Sequence, residues 1–247
     1  MADPKLQRTT DVSLAAVFGA IIALSSIIPL SIIVGGIGVF NLTWVMQTLT
    51  GILLGPYVGG GAAMAGGIVG ETISPSAFGL LGFLRPTLGA LQAGLIVWRL
   101  WRVAALMLGS LVVVWFLLPI GLSVWPMALF PLLGLAIIVS LGRRLPATIR
   151  ESKNNRSIFL GWLLTAYCAN ITRHMFGNIW LALLSLPEQY FWAALPLTVV
   201  EQTMFALASA VVGVSTLLAA RRARLNIPLI RLEGHPIALR LTCLRIA

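Results

Sequence analysis

Arg173, His174 and Asn178 fall three, four and eight residues after Asn170. On a helix that spacing puts all four side chains on one face. The guanidinium fork of an arginine matches a carboxylate or a phosphate. The two amides both donate and accept hydrogen bonds, and a histidine beside a carboxylate forms an acid–base pair. Further groups of the same kind stand at Asn41, Trp44, Glu71, Arg85, Glu201 and Gln202. Together they suit the binding of a small, planar, partly charged molecule. Arg85 or Arg173 would hold an anionic group, and Asn170, Asn178 and Gln202 would supply hydrogen bonds. Glu201 would hold a cationic or N–H group, or fix Arg173. Trp44 would stack on a planar ring.

The elements that must position these groups follow from composition. Of the 247 residues, 59% are hydrophobic and only 10% charged, and the mean hydropathy is +0.98. The surface of a water-soluble domain needs far more charge, and apolar runs near the length of a bilayer span recur throughout. The pattern predicts an all-α, polytopic transmembrane bundle of about eight helices. They run over residues 12–34, 40–54, 57–73, 81–98, 103–119, 125–141, 157–186 and 191–220. Breaks fall at Gly35, Gly36 and Gly38, at Gly55-Pro56, at Ser74-Pro75-Ser76, in a polar linker at 142–156, and at Pro187-Glu188-Gln189. Residues 1–224 form the membrane domain. Residues 225–247 form a basic, apolar cytoplasmic tail that reads either as an amphipathic surface segment or as a loosely ordered end.

The net charge of +10 is not a nucleic-acid footprint, because the basic residues sit in short clusters between apolar runs rather than on one surface. They are Lys5 and Arg8; Arg99 and Arg102; Arg143, Arg144, Arg150, Lys153 and Arg156; and Arg221, Arg222 and Arg224. The alternate loops, near 31–38, 74–80, 120–124 and 187–190, hold no Lys or Arg. The positive-inside rule then puts every cluster, and both chain ends, in the cytoplasm of a cell-membrane protein.

That orientation fixes depth. Asn41 and Trp44 begin the second helix, Glu71 ends the third, Arg85 begins the fourth, and the seventh carries its polar face toward its outer end. Glu201 and Gln202 lie about ten residues, ~15 Å, inside the eighth. All point to a polar pocket open to the outside and closed beneath, not to a continuous pore lined at both depths. Glu71 and Glu201 balance Arg85 and Arg173. Plainer readings stand beside these: Glu201–Arg173 as a structural ion pair, His174 as a satisfied interior histidine, Trp44 as an aromatic-belt residue like Trp125 and Trp192, and Arg85-Pro86 as the start of a helix. They leave the common depth unexplained.

Other chemistry is absent from the sequence. There is no phosphate-binding G-x-x-x-x-G-K-[ST], no H-E-x-x-H and no G-x-S-x-G. His174 and His235, with Cys168 and Cys243, are too few and too scattered for a metal site or a disulfide framework. Small residues crowd the first helix (Ala15, Ala16, Gly19, Ala20, Ala23) and the third (Gly59 to Gly70). These permit close helix approach.

Three stretches carry a family resemblance. Residues 15–23, ending at Ile28-Pro29, form an Ala-rich first helix. Leu54-Gly55-Pro56-Tyr57-Val58-Gly59-Gly60 is followed by Gly66-Gly67-Ile68-Val69-Gly70-Glu71. Gly82 to Trp98, with the polar seventh helix, forms the third. Over residues 12–75 in particular, the chain resembles the substrate-binding S component of energy-coupling factor (ECF) vitamin transporters. The resemblance implies a non-catalytic capture subunit with no cofactor. It would bind a vitamin-like nutrient from outside and work with a transmembrane coupling protein and two cytoplasmic ATPases. It maps the partner contact to Ala16 and Ala20. The family has six helices, so 103–142 reads as an added hairpin. The alternatives are a stand-alone proton-coupled carrier using Glu201 or Glu71, and an intramembrane enzyme using Glu201 and His174.

Overall fold

A computed structural model describes residues 4–32, 39–76 and 78–233. It is a helical bundle with one short β-ribbon. The helices are α1 Pro4–Ser25, α2 Thr43–Leu54, α3 Pro56–Ile73, α4 Leu84–Val97, α5 Trp101–Leu117, α6 Pro119–Ser123, α7 Leu129–Leu141, α8 Leu145–Arg150, α9 Asn155–Leu183, α10 Glu188–Arg222 and α11 Pro228–Glu233. Strands β1 Pro29–Ile32 and β2 Val39–Asn41 pair antiparallel, with an irregular register between Pro29 and Ser31.

Six helices form the core. α3 packs on α1 and α4, α2 on α4 and α10, and α9 on α4 and α10. α5 and α7 make an antiparallel hairpin applied to α9. Gly55, at φ 87°, turns α2 into α3, whose first turn is Pro56. A positive φ suits glycine, and proline is favoured at a first helical turn. Where α1 crosses α3, a Cβ on Gly66 would overlap the carbonyl of Gly19, so the two backbones touch as small-residue packing allows.

Several boundaries differ from the sequence expectation. α1 ends at Ser25, not near residue 34. Ser26 Oγ donates back to the Ala23 carbonyl at 2.6 Å, and Pro29 disfavours a helical Ile28, so the helix stops and the chain leaves as β1. Asn41 closes β2 instead of opening a helix. The 142–156 linker contains α8, and α10 is longer than expected, with Pro196 inside it. The tail as far as Glu233 is docked: Ile227 and Leu229 are buried in the main core, and Arg231 is ion-paired with Asp11 of α1. The glycine break at 35–38, and residues 234–247 with His235, Arg240, Cys243 and Arg245, lie outside the described residues.

Among the described residues one helix, Glu188–Arg222, is long and apolar enough by itself to cross a membrane. Thr9–Ser25, Thr43–Leu54, Trp101–Leu117 and Trp125–Leu141 are apolar but shorter.

Candidate functional site

The polar residues gather at the end of the bundle where α1, α3 and α9 finish and α2, α4 and α10 begin. Trp44, one residue into α2, organises them. Its ring is 0% exposed and stacks on Phe205 of α10, with centroids 5.3 Å apart and planes 21° from parallel. The Arg173 guanidinium lies 4.1 Å from the Trp44 ring centroid, and that of Arg85 lies 5.6 Å away. His174 lies 6.5 Å from the same ring. Trp44 is therefore neither a belt tryptophan nor an open stacking platform. It is a buried plate that holds cations through its electron-rich face.

Gln47, one turn along α2, ties the site to α9. Arg173 Nη1 donates to Gln47 Oε1 at 2.9 Å, and Gln47 Nε2 donates to Asn170 Oδ1 at 2.9 Å. This amide bridge replaces the expected Glu201–Arg173 ion pair. Among the described residues neither Arg173 nor Arg85 makes a salt bridge. Glu71 lies near both arginines and its charge acts on them, but its hydrogen bonds go to Ser76: its Oε1 accepts from Ser76 N at 2.6 Å and from Ser76 Oγ at 2.5 Å. Arg85 instead lies against the Phe78 ring, 3.7 Å from its centroid. Trp180 Nε1 fixes that segment by donating to the Phe78 carbonyl at 3.1 Å. His174 Nε2 is 3.4 Å from Thr198 Oγ1.

Two small cavities flank these arginines. One, of about 40 Å³, is lined by Phe78, Arg85, His174, Asn178, Tyr190, Thr198 and Glu201 among others. The second, of about 50 Å³, is lined by Ser26, Asn41, Glu71, Ser76, Arg85 and Arg173 among others. Arg85 is a wall of both. Glu71 also borders a wider, mainly apolar groove of about 640 Å³ with Ile68, Pro75, Leu81 and Phe83. Below the site Leu49, Ile52, Leu53, Trp162, Ala166 and Ala210 form a continuous apolar layer, so the polar region is closed on that side.

Of the expected residues, Trp44, Arg85, Asn170, Arg173 and His174 form one connected group. Asn178 and Glu201 join the first cavity, and Asn41 and Glu71 the second. Gln202 is buried on α10 but lines neither. Gln47, Phe78 and Phe205 were not singled out by residue type. Only the placement of Gln47 one turn after Trp44 marked it. Arg85 Nε, Arg173 Nε, Asn170 Nδ2, Asn178 Nδ2 and Gln202 Nε2 are buried donors without an acceptor. Asn41 Oδ1, Thr43 Oγ1 and Gln202 Oε1 are buried acceptors without a donor at the same end. Buried polar atoms are normally matched, so this end of the bundle carries unmet hydrogen-bonding capacity of both kinds. Elsewhere, Ala16 and Ala20 are exposed on α1, while Gly19 beside them faces α3.

No family model matches the chain, and no solved structure matches it. It is 24% identical over 160 residues to an uncharacterized protein of Methanocaldococcus jannaschii. The matched stretch covers 64% of this chain and 54% of that protein, so the chain spans about half the length of that relative.

Proposed function

We propose that the chain is the membrane-embedded capture subunit of an ECF-type importer. It takes a small, planar, anionic nutrient from outside and carries out no chemistry of its own. The observation that carries this reading is the set of unmatched guanidinium and amide N–H groups around Arg85 and Arg173. Neither guanidinium has a carboxylate in salt-bridge contact among the described residues, and each keeps an unmatched Nε beside further unmatched amide N–H groups; such donors call for a ligand that brings oxygen acceptors.

The membrane setting rests on α10 and on exposed apolar side chains such as Leu106, Leu117, Leu133, Met204 and Val211. These would be costly in water as continuous faces. The basic loops at the opposite end support a cytoplasmic position for that end and for both termini. Ala16 and Ala20 offer a small, exposed strip to the coupling protein, which would dock with its two ATPases beneath.

The test is a thermal-unfolding screen of the purified protein against water-soluble vitamins. At least one acidic, ring-containing member raises the midpoint, and Arg173→Ala removes the rise. A flat response across the set overturns the reading. The alternative, a proton-coupled carrier, draws on Glu201 and His174 sharing a cavity. It predicts uptake by the reconstituted chain alone under a proton gradient, where a capture subunit gives none.

A further inference from the structure

The basic end holds a second constellation that nutrient capture does not use. Trp101 opens α5 and nests against the residue that follows α7. A Cβ on Gly142 would come within 2.8 Å of Trp101 Cβ, so a larger residue there would push the indole away. The indole thus sits at a fixed place between the two helix ends. Two guanidiniums share it: Arg102 lies 5.5 Å and Arg143 5.4 Å from its ring centroid. Both arginines are exposed, and among the described residues neither has a hydrogen-bond or carboxylate partner. The Asp11 and Glu151 carboxylates are paired with Arg231 and Arg99.

A strip of exposed apolar side chains, grooved where the two helices meet at Gly109, runs away from this pair. Arg102 is followed on one face of α5 by Leu106, Gly109 and Val113, at intervals of four, seven and eleven residues. Arg143 is preceded by Leu132, Ala136 and Val139 at the same intervals. α5 and α7 are packed side by side. Leu106 is 73% exposed and Val139 58%. At Gly109 the neighbouring α7 contributes only Leu135, 4.0 Å from where a Cβ would stand, so the groove has a shallow floor there.

We infer that the α5–α7 hairpin binds an acidic glycerophospholipid, with its phosphodiester between Arg102 and Arg143 and an acyl chain along the groove. The inference rests on the proposed membrane setting but not on nutrient capture. Charge selects the occupant. Two like charges held against one indole repel each other, and a phosphate placed between them takes bidentate bonds from both. An aromatic ring at the same level matches the headgroup region, where tryptophan is enriched. Zwitterionic lipids carry the same phosphate but place a compensating cation beside it, next to both arginines.

Native mass spectrometry of the detergent-solubilised full chain tests this, with phosphatidylglycerol and phosphatidylcholine at equal concentration. The wild-type protein retains phosphatidylglycerol preferentially. Each basic residue near an anionic surface contributes ~1 kcal/mol, so R102Q/R143Q weakens that retention about 30-fold. R102K/R143K, which keeps the charge but loses the fork, retains an intermediate amount. Equal phosphatidylglycerol retention by wild type and R102Q/R143Q overturns the site. So does loss of the lipid on adding millimolar inorganic phosphate, which marks a simple anion site. Flotation with phosphatidylcholine vesicles reports membrane association separately from headgroup choice. The vitamin screen is unaffected by either arginine.

Discussion

Gln47 is the residue on which the site's geometry turns, because one buried amide satisfies Arg173 on one side and Asn170 on the other. Gln47→Leu keeps the volume but strands a guanidinium N–H and an amide oxygen. Each loss costs about 1–3 kcal/mol, so the unfolding midpoint in detergent falls clearly and ligand response falls with it. A variant as stable as wild type would show that the bridge contributes nothing. The residues with charge or aromatic area at a common depth were legible in the sequence, since depth follows from helix spacing and loop charge. Their pairing was not. Opposite charges suggested ion pairs, yet Glu71 turns to Ser76 and Arg173 to an amide. Two carboxylates and two guanidiniums in a sequence do not reveal which nearer neutral group intercepts each. Phe78 was invisible for a related reason: a phenylalanine in a loop becomes part of a site only when the fold lays it on an arginine.

At the scale of elements, α1 has two faces with opposite tolerances. Its Gly19 edge meets Gly66 backbone to backbone, so Gly66→Ala forces α1 and α3 apart and costs about 1–3 kcal/mol as an overpacked contact. Ala16 points away and is exposed. Ala16→Trp therefore leaves stability within about 0.5 kcal/mol, while on the proposed reading it abolishes co-purification of a coupling protein and its ATPases. Unfolding midpoints and pull-down of the two variants separate the faces. If Ala16→Trp still co-purifies fully, the partner docks elsewhere. Small residues announced both faces in the sequence, but identical residue types could not say which of the two was already filled from within the chain. The early end of α1 was similarly hidden, because the apolar run continues past Ser25 and only Ser26 and Pro29 mark the exit.

Across the whole molecule, the site and the basic loops lie at opposite ends of α9 and α10. That separation makes the orientation directly testable. In a chain with Cys243 replaced by serine, a cysteine at Ser185 reacts with an impermeant maleimide in intact cells. A cysteine at Ala223 reacts only after lysis. The reverse pattern would turn the bundle over and with it the direction of capture. Cys168 is buried and stays silent in both. The helical class and the α5–α7 hairpin were readable from hydropathy and turn residues. The docking of α11 was not, since Ile227 and Leu229 sit among arginines and asparagine, where burial depends on what α2 and α8 present.

The wall that Arg85 forms between two cavities of about 40 and 50 Å³ sets the kinetics of any capture. Ligand sites for small molecules run to about 300–1,000 Å³, so under the proposed capture role the described arrangement is the shut one. A nutrient is accommodated only after Phe78 leaves Arg85 and the two spaces merge. The measured affinity is then the intrinsic affinity multiplied by the fraction of molecules already open. Association falls below the encounter rate and saturates with concentration at the rate of opening. Substitutions that loosen Phe78 tighten binding without touching the ligand.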